Sequence, residues 1–256
     1  MNVTLRAPAK LTWTLEITGR RADGYHLLRS EMVSLDLADV LEIDESTSGI
    51  VVRDDDGLLR DVVLLERDNL VTRALELAGK SAGVVLHKRI PVGGGLGGGS
   101  SDAAAILRWA DVRDLAATAS LGGDVPFCVV GGRALVEGVG EVVTPLPYER
   151  REITLVLPSF GISTPACYQA FDDMWASGWR PRGRNHLFEP ACVVEPRLAA
   201  VAQFVEERTG RTVELCGSGS TLFIEGHWRD EASWGETGPA GTLRFVRTVT
   251  TPAEGD

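Results

Sequence analysis

Six of the 29 glycines in this 256-residue chain fall within positions 93–99, broken only by Leu96. The full run is Pro91-Val92-Gly93-Gly94-Gly95-Leu96-Gly97-Gly98-Gly99-Ser100-Ser101-Asp102. Glycine has no Cβ and tolerates positive φ, so successive backbone N–H groups can turn toward one point. A helix that starts directly afterwards adds its unpaired N–H groups and the positive end of its dipole at the same place. Such an arrangement cradles a phosphate. The flanking residues favour a cradle over a flexible linker. Residues 84–90 read as a strand that Pro91 stops, and the alanine-rich residues 103–110 read as a helix with Ser100 or Ser101 as its N-cap. A Walker loop would end in Gly-Lys-Ser/Thr, and no lysine stands there. Gly93, Gly95 and Gly98 match GxGxxG. The lead-in Lys88-Arg89-Ile90-Pro91 is nevertheless unlike the apolar strand of a dinucleotide fold, and no clear acidic strand end follows about 20 residues on.

The basic residues are also unevenly chosen. Of 26, three are lysines (Lys10, Lys80 and Lys88) and the rest are arginines. Codon usage accounts for most of that bias. A lysine retained in such a background marks a place where a compact ammonium serves better than a planar guanidinium.

Several elements must hold these residues in place. Val3, Leu5, Leu11, Trp13, Leu15 and Ile17 alternate at strand spacing through residues 1–20, with Pro8 interrupting. Asp23-Gly24 signals a turn, and residues 27–41 alternate again and run on to Ile43. Residues 46–60 read as hairpin and loop. Leu70, Ala74, Leu77 and Ala78 give residues 64–78 a helical period, with Asp68 or Asn69 as cap. Gly122-Gly123-Asp124-Val125-Pro126 opens a further element, and residues 134–136 form a short strand before Gly138-Val139-Gly140-Glu141. Beyond a boundary placed at residues 145–151, a strand at 153–157, helices around 165–175 and 197–207, a strand–loop–strand at 213–224 and a last strand at 243–249 are expected. The tail 250–256 is expected to fray. Strands and helices do not alternate regularly, so the fold class is α+β.

Composition sets outer bounds. With 44% hydrophobic and 24% charged residues the chain has material for a sizeable core, which argues against disorder and against a polytopic membrane protein. The net charge of −10 speaks against a nucleic-acid binder. Cys128, Cys167, Cys192 and Cys216 include no CxxC pair, so zinc and redox motifs have no support, and free thiols in a reducing cytoplasm are expected. The first residues carry no apolar core of signal-peptide length, and no apolar run reaches the roughly 18–20 residues of a membrane span.

The glycine run followed by Ser-Ser-Asp-Ala-Ala-Ala resembles the ATP-phosphate loop of the GHMP kinases (galacto-, homoserine, mevalonate and phosphomevalonate kinases). Further segments extend the resemblance over most of the chain: Ala7-Pro8-Ala9-Lys10, Gly19-Arg20-Arg21-Ala22-Asp23-Gly24-Tyr25-His26, Asp68-Asn69-Leu70-Val71, Leu121-Gly122-Gly123-Asp124-Val125-Pro126-Phe127, Gly138-Val139-Gly140-Glu141 and Gly217-Ser218-Gly219-Ser220. Arg-x-Asp-Gly-Tyr-His, in order with Gly-x-Asp-Val-Pro-Phe, is similar to the members that phosphorylate the 2-hydroxyl of a cytidine-diphosphate-linked methylerythritol in non-mevalonate isoprenoid synthesis.

The resemblance implies two lobes. Residues 1–148 would form an ATP-binding lobe like ribosomal protein S5 domain 2, and residues 149–256 a ferredoxin-like lobe on the substrate side. It implies ATP with Mg²⁺ as cofactors, a small-molecule partner, no nucleic acid or membrane, a monomer or homodimer, and a cytoplasmic location. Asp124 would be the general base and Lys10 would keep it ionised and stabilise developing charge. Asn69, Lys88, Pro91, Gly93, Gly94, Gly95, Leu96, Gly97, Gly98, Gly99, Ser100 and Ser101 would contact ATP. Ser101 is also the candidate magnesium ligand. Thr12, Tyr25, His26, Thr164 and Tyr168 would hold the substrate, with the cytosine ring stacked and its polar edge read by hydrogen bonds. Gly217, Ser218, Gly219 and Ser220 would brace the glycine loop. Simpler roles suit several of these residues equally: a helix cap for Asp124 or Ser101, a solvated strand end for Lys10, core packing for Tyr168, and an ordinary turn for Gly217 to Ser220.

Three departures from the family pattern stand out. Thr12 replaces an asparagine and has shorter reach. Asn185-His186 replaces Asn-Asp. The stretch 110–121 is short. They bear on substrate choice and efficiency more than on fold. The alternatives are another GHMP kinase of homoserine, mevalonate or sugar type, and a degenerate nucleotide-binding relative, against which the retention of Lys10 and Asp124 speaks.

Overall fold

The computed structural model describes residues 2–54 and 69–253. Asp68, the first residues of the helix expected at 64–78, residues 55–60 of the loop expected at 46–60 and the end of the tail lie outside the described residues.

The central strand is β3 (His26–Asp44), which pairs antiparallel with β1 (Asn2–Thr12) along most of its length. The register slips between Pro8 and Lys10. Proline has no N–H for the ladder, so the expected interruption takes the form of a bulge within one strand. Beyond it, Lys10 N donates to the carbonyl of Leu96 in the glycine loop at 3.0 Å. Strand β2 (Glu16–Arg20) pairs with the start of β3 across the Asp23-Gly24 turn. Strand β4 (Gly49–Arg53) runs parallel to β5 (Gly83–His87), which pairs with β3. Strands β6 (Arg133–Gly138) and β7 (Val142–Leu146) extend the sheet through another stretch of β3.

Helices α1 (Leu70–Leu77), α2 (Gly98–Trp109), α3 (Leu115–Ala119) and α4 (Val125–Val130) contribute to a core with this sheet. Ala103, Ala104, Ala105 and Ile106 of α2 are fully buried among Leu41, Val84 and Phe127. Small side chains allow that close approach at interior packing density.

The remaining sheet is antiparallel. It holds β8 (Glu152–Leu157), β9 (Glu214–Leu215), β10 (Leu222–Glu225), β11 (Ser233–Gly238) and β12 (Gly241–Thr251). With α5 (Thr164–Ala176), α6 (Phe188–Val194) and α7 (Arg197–Thr209) it encloses a second core around Val156, Leu198, Val201, Leu222 and Phe245. The sheets join where Thr250 and Thr251 of β12 pair with Leu35 and Ser34 of β3. A third cluster seals that junction, with Leu11, Val33 and Leu35 against Ile153, Leu155 and Phe223.

The structure changes several expectations. Thr250 and Thr251 are paired strand residues, not a frayed tail. The strand expected to reach Ile90 ends at His87, because the N–H groups of Arg89 and Ile90 go to the Asp39 carboxylate. Neither Ser100 nor Ser101 caps α2. The helix already starts at Gly98, with Gly97 as N-cap in the left-handed region at φ 67°, which places both serines in the first turn. The short elements α3, α6, β4 and β11 carry too few residues for a periodic signal.

Candidate active site

The glycine loop borders a cavity of about 350 Å³ that Asn69, Lys88 and Asp102 also line. A tight fit on the far side requires glycine. At Gly95, with φ 79°, a Cβ would fall 2.5 Å from the Cys216 carbonyl oxygen. At Gly97 it would fall 2.6 Å from Lys10 Cγ. Thr221 N donates to the Gly94 carbonyl at 3.1 Å, and Cys216 Sγ to the Gly95 carbonyl at 3.3 Å. The segment holding Gly217, Ser218, Gly219 and Ser220 therefore backs the loop. Leu96 is buried in the junction cluster, and Pro91 lines the cavity. The N-terminus of α2 opens directly from this loop, so its first N–H groups are available to an anion.

Lys10 is buried, and its ammonium lies 3.2 Å from Asp124 Oδ2. It also donates to Thr12 Oγ1 at 2.9 Å. Burial alone would lower the lysine pKa, but the Asp124 carboxylate reverses this and holds it above its ordinary value. Asp124 occupies the N-cap position of α4 and makes no side-chain capping bond. Its partly exposed carboxylate turns to Lys10 instead. The turn Gly138-Val139-Gly140-Glu141 supports this position, since a Cβ on Gly123 would lie 2.7 Å from the Val139 carbonyl oxygen. Cys216 Sγ accepts from Thr12 N, and burial pushes its thiol pKa up, so it stays neutral beside Lys10.

Lys88 lines the cavity with its charge already paired inside the protein. It is 2% exposed, and its ammonium is enclosed by two buried carboxylates, in contact with Asp39 Oδ2 and 2.7 Å from Asp102 Oδ2. Both of its ion-pair partners are protein groups, and its side chain lines the cavity together with Asn69 and the glycine loop. Burial works against its charge, and the two carboxylates more than compensate. Asp39 Oδ1 accepts from Arg89 N and Ile90 N at 2.5 and 2.8 Å, so the triad ties the end of β5 to the first turns of α2. Burial pushes the Asp102 carboxyl up to about 7. Asn69 lines the cavity, but its side-chain oxygen caps α1 through Val71 N at 2.9 Å.

Ser101 is not placed to ligate a metal. It is 1% exposed, and its hydroxyl donates to the Pro8 carbonyl at 2.6 Å. Among the described residues no cluster of three or more His, Cys, Asp or Glu side chains forms a metal site.

A second cavity, of about 490 Å³, brings Tyr25, His26, Val139, Thr164 and Tyr168 together. Tyr25 is 66% exposed. Tyr168 stacks directly on His26 with ring centroids 4.8 Å apart. Burial pushes the Tyr168 phenol up to about 12. Thr164 Oγ1 lies 2.7 Å from Ser218 Oγ, which links this cavity to the segment behind the glycine loop. Asn185 Nδ2 donates to the Leu215 and Gly217 carbonyls, each at 2.8 Å, and His186 Nδ1 accepts from Ile17 N at 3.1 Å. The unusual Asn185-His186 pair is thus a buttress in this structure.

Sequence reasoning missed Asp39, Arg20 and Asp172. Asp172 accepts from His26 Nε2 at 2.8 Å and pairs with Arg20 Nη1 at 3.0 Å. Its spacing of four from Tyr168 puts both on one helix face, a signal that sequence alone offers. Asp39 gives no local sign. No described helix is long and apolar enough to cross a membrane, and all four cysteines are free.

Residues 69–132 match the GHMP kinases N terminal domain. The 4-diphosphocytidyl-2-C-methyl-D-erythritol kinase of Paracoccus denitrificans is 39% identical over 234 residues, 85% of this chain and 84% of that protein. The enzyme of that name from Xanthomonas oryzae pv. oryzae is 38% identical over 264 residues, 93% and 87% of the two chains. A crystal structure of 4-(cytidine 5'-diphospho)-2C-methyl-D-erythritol kinase superposes with a TM-score of 0.70 at 31% identity, covering 98% of this chain and 100% of that one. The mevalonate kinase of L. major, solved with R-mevalonate, shares the fold at a TM-score of 0.64 and 13% identity, covering 98% and 96%. The expected α+β GHMP kinase fold is therefore the observed one, and the chain belongs to the 4-diphosphocytidyl-2-C-methyl-D-erythritol kinase family.

Proposed function

We propose that this protein uses ATP to phosphorylate the 2-hydroxyl of 4-diphosphocytidyl-2-C-methyl-D-erythritol. The observation that carries this reading is Lys10, whose stem packs on Gly97 of the glycine loop while its ammonium reaches Asp124. One cation thus touches both the cradle for the phosphates and the carboxylate fit to accept the hydroxyl proton.

In the proposed reaction the glycine loop and the start of α2 hold the ATP phosphates by backbone N–H groups. The substrate oxygen forms a bond to the γ-phosphorus, the bond from that phosphorus to ADP breaks, and the hydroxyl proton passes to Asp124. Lys10 favours ionised Asp124 and offsets charge on the transferred group. Thr12 orients Lys10 through its hydroxyl, a role that differs from the reach of an asparagine amide. Tyr25, His26, Thr164 and Tyr168 hold the cytidine end of the substrate. Asn69, Lys88 and the segment Pro91 to Ser100 are the residues proposed at the nucleotide, with Lys88 also tying the end of β5 to α2 through Asp39 and Asp102.

Magnesium is part of the proposal as the ion that accompanies ATP and neutralises phosphate charge. Ser101 does not fit as its ligand, so the ion is assigned to the phosphate oxygens. Residues 1–148 are proposed as the nucleotide lobe and 149–256 as the lobe facing the substrate, in a cytoplasmic enzyme.

The test is a coupled ADP-release assay on a panel of alcohols: the cytidyl substrate, homoserine, mevalonate and galactose. Turnover on the cytidyl substrate with CDP as competitor is expected. Turnover on another alcohol alone overturns the reading.

A further inference from the structure

We infer that Trp13, held by the guanidinium groups of Arg151 and Arg184, is a positioning residue that sets Thr12 and Lys10 for phosphoryl transfer. The inference rests on the proposed function, which puts the reacting groups at Lys10 and Asp124.

Successive side chains of a strand point to opposite faces. On β1, Ala9 and Leu11 enter the junction core, and Trp13, just past the strand end, continues that face. Lys10 and Thr12 take the other face, where Lys10 Nζ donates to Thr12 Oγ1 at 2.9 Å and reaches Asp124 at 3.2 Å. The pairing of β1 with β3 stops at Thr12 and Met32. The next two N–H groups, of Trp13 and Thr14, both go to the Glu31 carbonyl, at 2.8 and 3.3 Å. Two residues against one is the count of a bulge, so the ladder no longer fixes the twist of the chain beside Thr12. The side chain of Trp13 takes over that task.

Two guanidiniums lie over the Trp13 ring, Arg151 at 4.0 Å from its centroid and Arg184 at 5.0 Å. Phe223 packs on the same ring at 5.5 Å, and Trp13 is 9% exposed. A cation over a desolvated indole is held by the ring quadrupole. Neither arginine can wander. Arg151 pairs with Glu31 and Glu149 at 2.8 and 2.7 Å, and Arg184 with Glu214 and Glu225 at 3.0 and 2.9 Å. Glu31 thus holds Trp13 twice, through its own carbonyl and through Arg151. The Arg184 carbonyl also accepts from Leu15 N at 2.8 Å. A planar guanidinium can pair with carboxylates and stack on a ring at once, which suits arginine and not lysine to both positions. Both arginines come from the chain after β7, so the clamp couples that half of the molecule to Lys10.

The experiment exploits the scarcity of lysine. In the full chain labelled with carbon-13 at lysine Cε, Lys10, Lys80 and Lys88 give three signals whose pH titrations can be followed separately by NMR, and Lys10→Met assigns the first. The Asp124 carboxylate holds Lys10 above its ordinary value against the effect of burial, so a Lys10 shifted away from it titrates at lower pH. Trp13→Leu and Arg151→Met are expected to lower the Lys10 midpoint and leave Lys80 and Lys88 in place. Both should reduce kcat on the cytidyl substrate roughly 10- to 100-fold with little change in the KM for ATP, the scale of a slightly misplaced reacting group. Arg151→Met leaves the ring in the core and keeps the test open should Trp13→Leu fail to fold. Trp13→Phe retains an aromatic face and should recover most of the loss. In a Thr12→Val background Trp13→Leu should add no further loss, because the ring acts through Thr12. A Lys10 midpoint that stays at the wild-type value in Trp13→Leu and Arg151→Met overturns the inference, whether or not kcat falls. Wild-type protein that fails to turn over the cytidyl substrate overturns the functional reading instead, and the lysine titration still decides the clamp.

Discussion

The Lys10 ammonium lies 3.2 Å from the Asp124 carboxylate, with Lys10 carried by β1 and Asp124 by the turn into α4. The same lysine bonds to Thr12 and packs beneath Gly97. A group that could have been an ordinary strand end is thus fixed from three sides, and the carboxylate that it faces is left partly open to a ligand.

Asp124→Asn keeps the shape of that carboxylate and removes its basicity. The expected outcome is a fall in kcat of about 10²–10⁴-fold with little change in the KM for ATP. Steady-state kinetics on the cytidyl substrate check it. Undiminished turnover would remove Asp124 as the base and leave the substrate assignment standing.

Gly95→Ala and Gly93→Ala separate backbone strain from steric conflict. Both positions have positive φ, 79° and 71°, so each substitution carries a backbone cost of roughly 1 kcal/mol or more. Around Gly93 a Cβ meets nothing within 4 Å, whereas at Gly95 it collides with the Cys216 carbonyl. Gly95→Ala should lower the melting temperature further and weaken ADP binding more. Equal effects in calorimetry would contradict the close contact between loop and Cys216.

Lys88→Met should be among the costliest single changes in the nucleotide half. It leaves the buried Asp39 and Asp102 carboxylates facing each other with no cation between them. Breaking a buried pair in this way costs about 3–5 kcal/mol, readable in urea unfolding.

Asp102→Asn isolates a pH dependence. Burial raises the Asp102 carboxyl from 3.8 to about 7, so the folded state favours its neutral form. That contribution is complete below the ordinary carboxylate range and is lost as pH rises through about 7, at roughly 1.4 kcal/mol for each pH unit between the two values. Wild-type unfolding free energy should therefore fall from pH 4 to 7 relative to Asp102→Asn, which stays neutral throughout. Parallel stability curves would refute this.

Tyr25→Ala should raise the KM for the cytidyl substrate about tenfold while leaving the KM for ATP unchanged. Tyr25 is exposed at the rim of the second cavity and has no part in the glycine loop, and an aromatic contact is worth about 1 kcal/mol beyond its buried area. Equal loss for both substrates would point to a general disturbance of the turn at Asp23-Gly24.

What the sequence determined by itself is what short spacing controls. The glycine run, the strand before it and the helix after it are local, and they announce a phosphate cradle without reference to anything else in the chain. Asn69 caps α1 as its type and position require. The order of the motifs was sufficient for the family. Tertiary structure alone decided the fate of the two buried lysines. Lys10 and Lys88 look equivalent as residues in an arginine-rich chain, yet one meets a partly open carboxylate and the other is enclosed by two buried ones. Asp39 comes from the middle of β3 and Asp102 from α2, and only their packing together makes Lys88 a strut. The serines behave likewise: both suit a cap, but Gly97 reaches the left-handed region first and starts the helix sooner. The reason is common to these cases. Propensity and periodicity depend on neighbours along the chain, whereas the charge state, direction and availability of a side chain depend on groups that folding brings to it from far away.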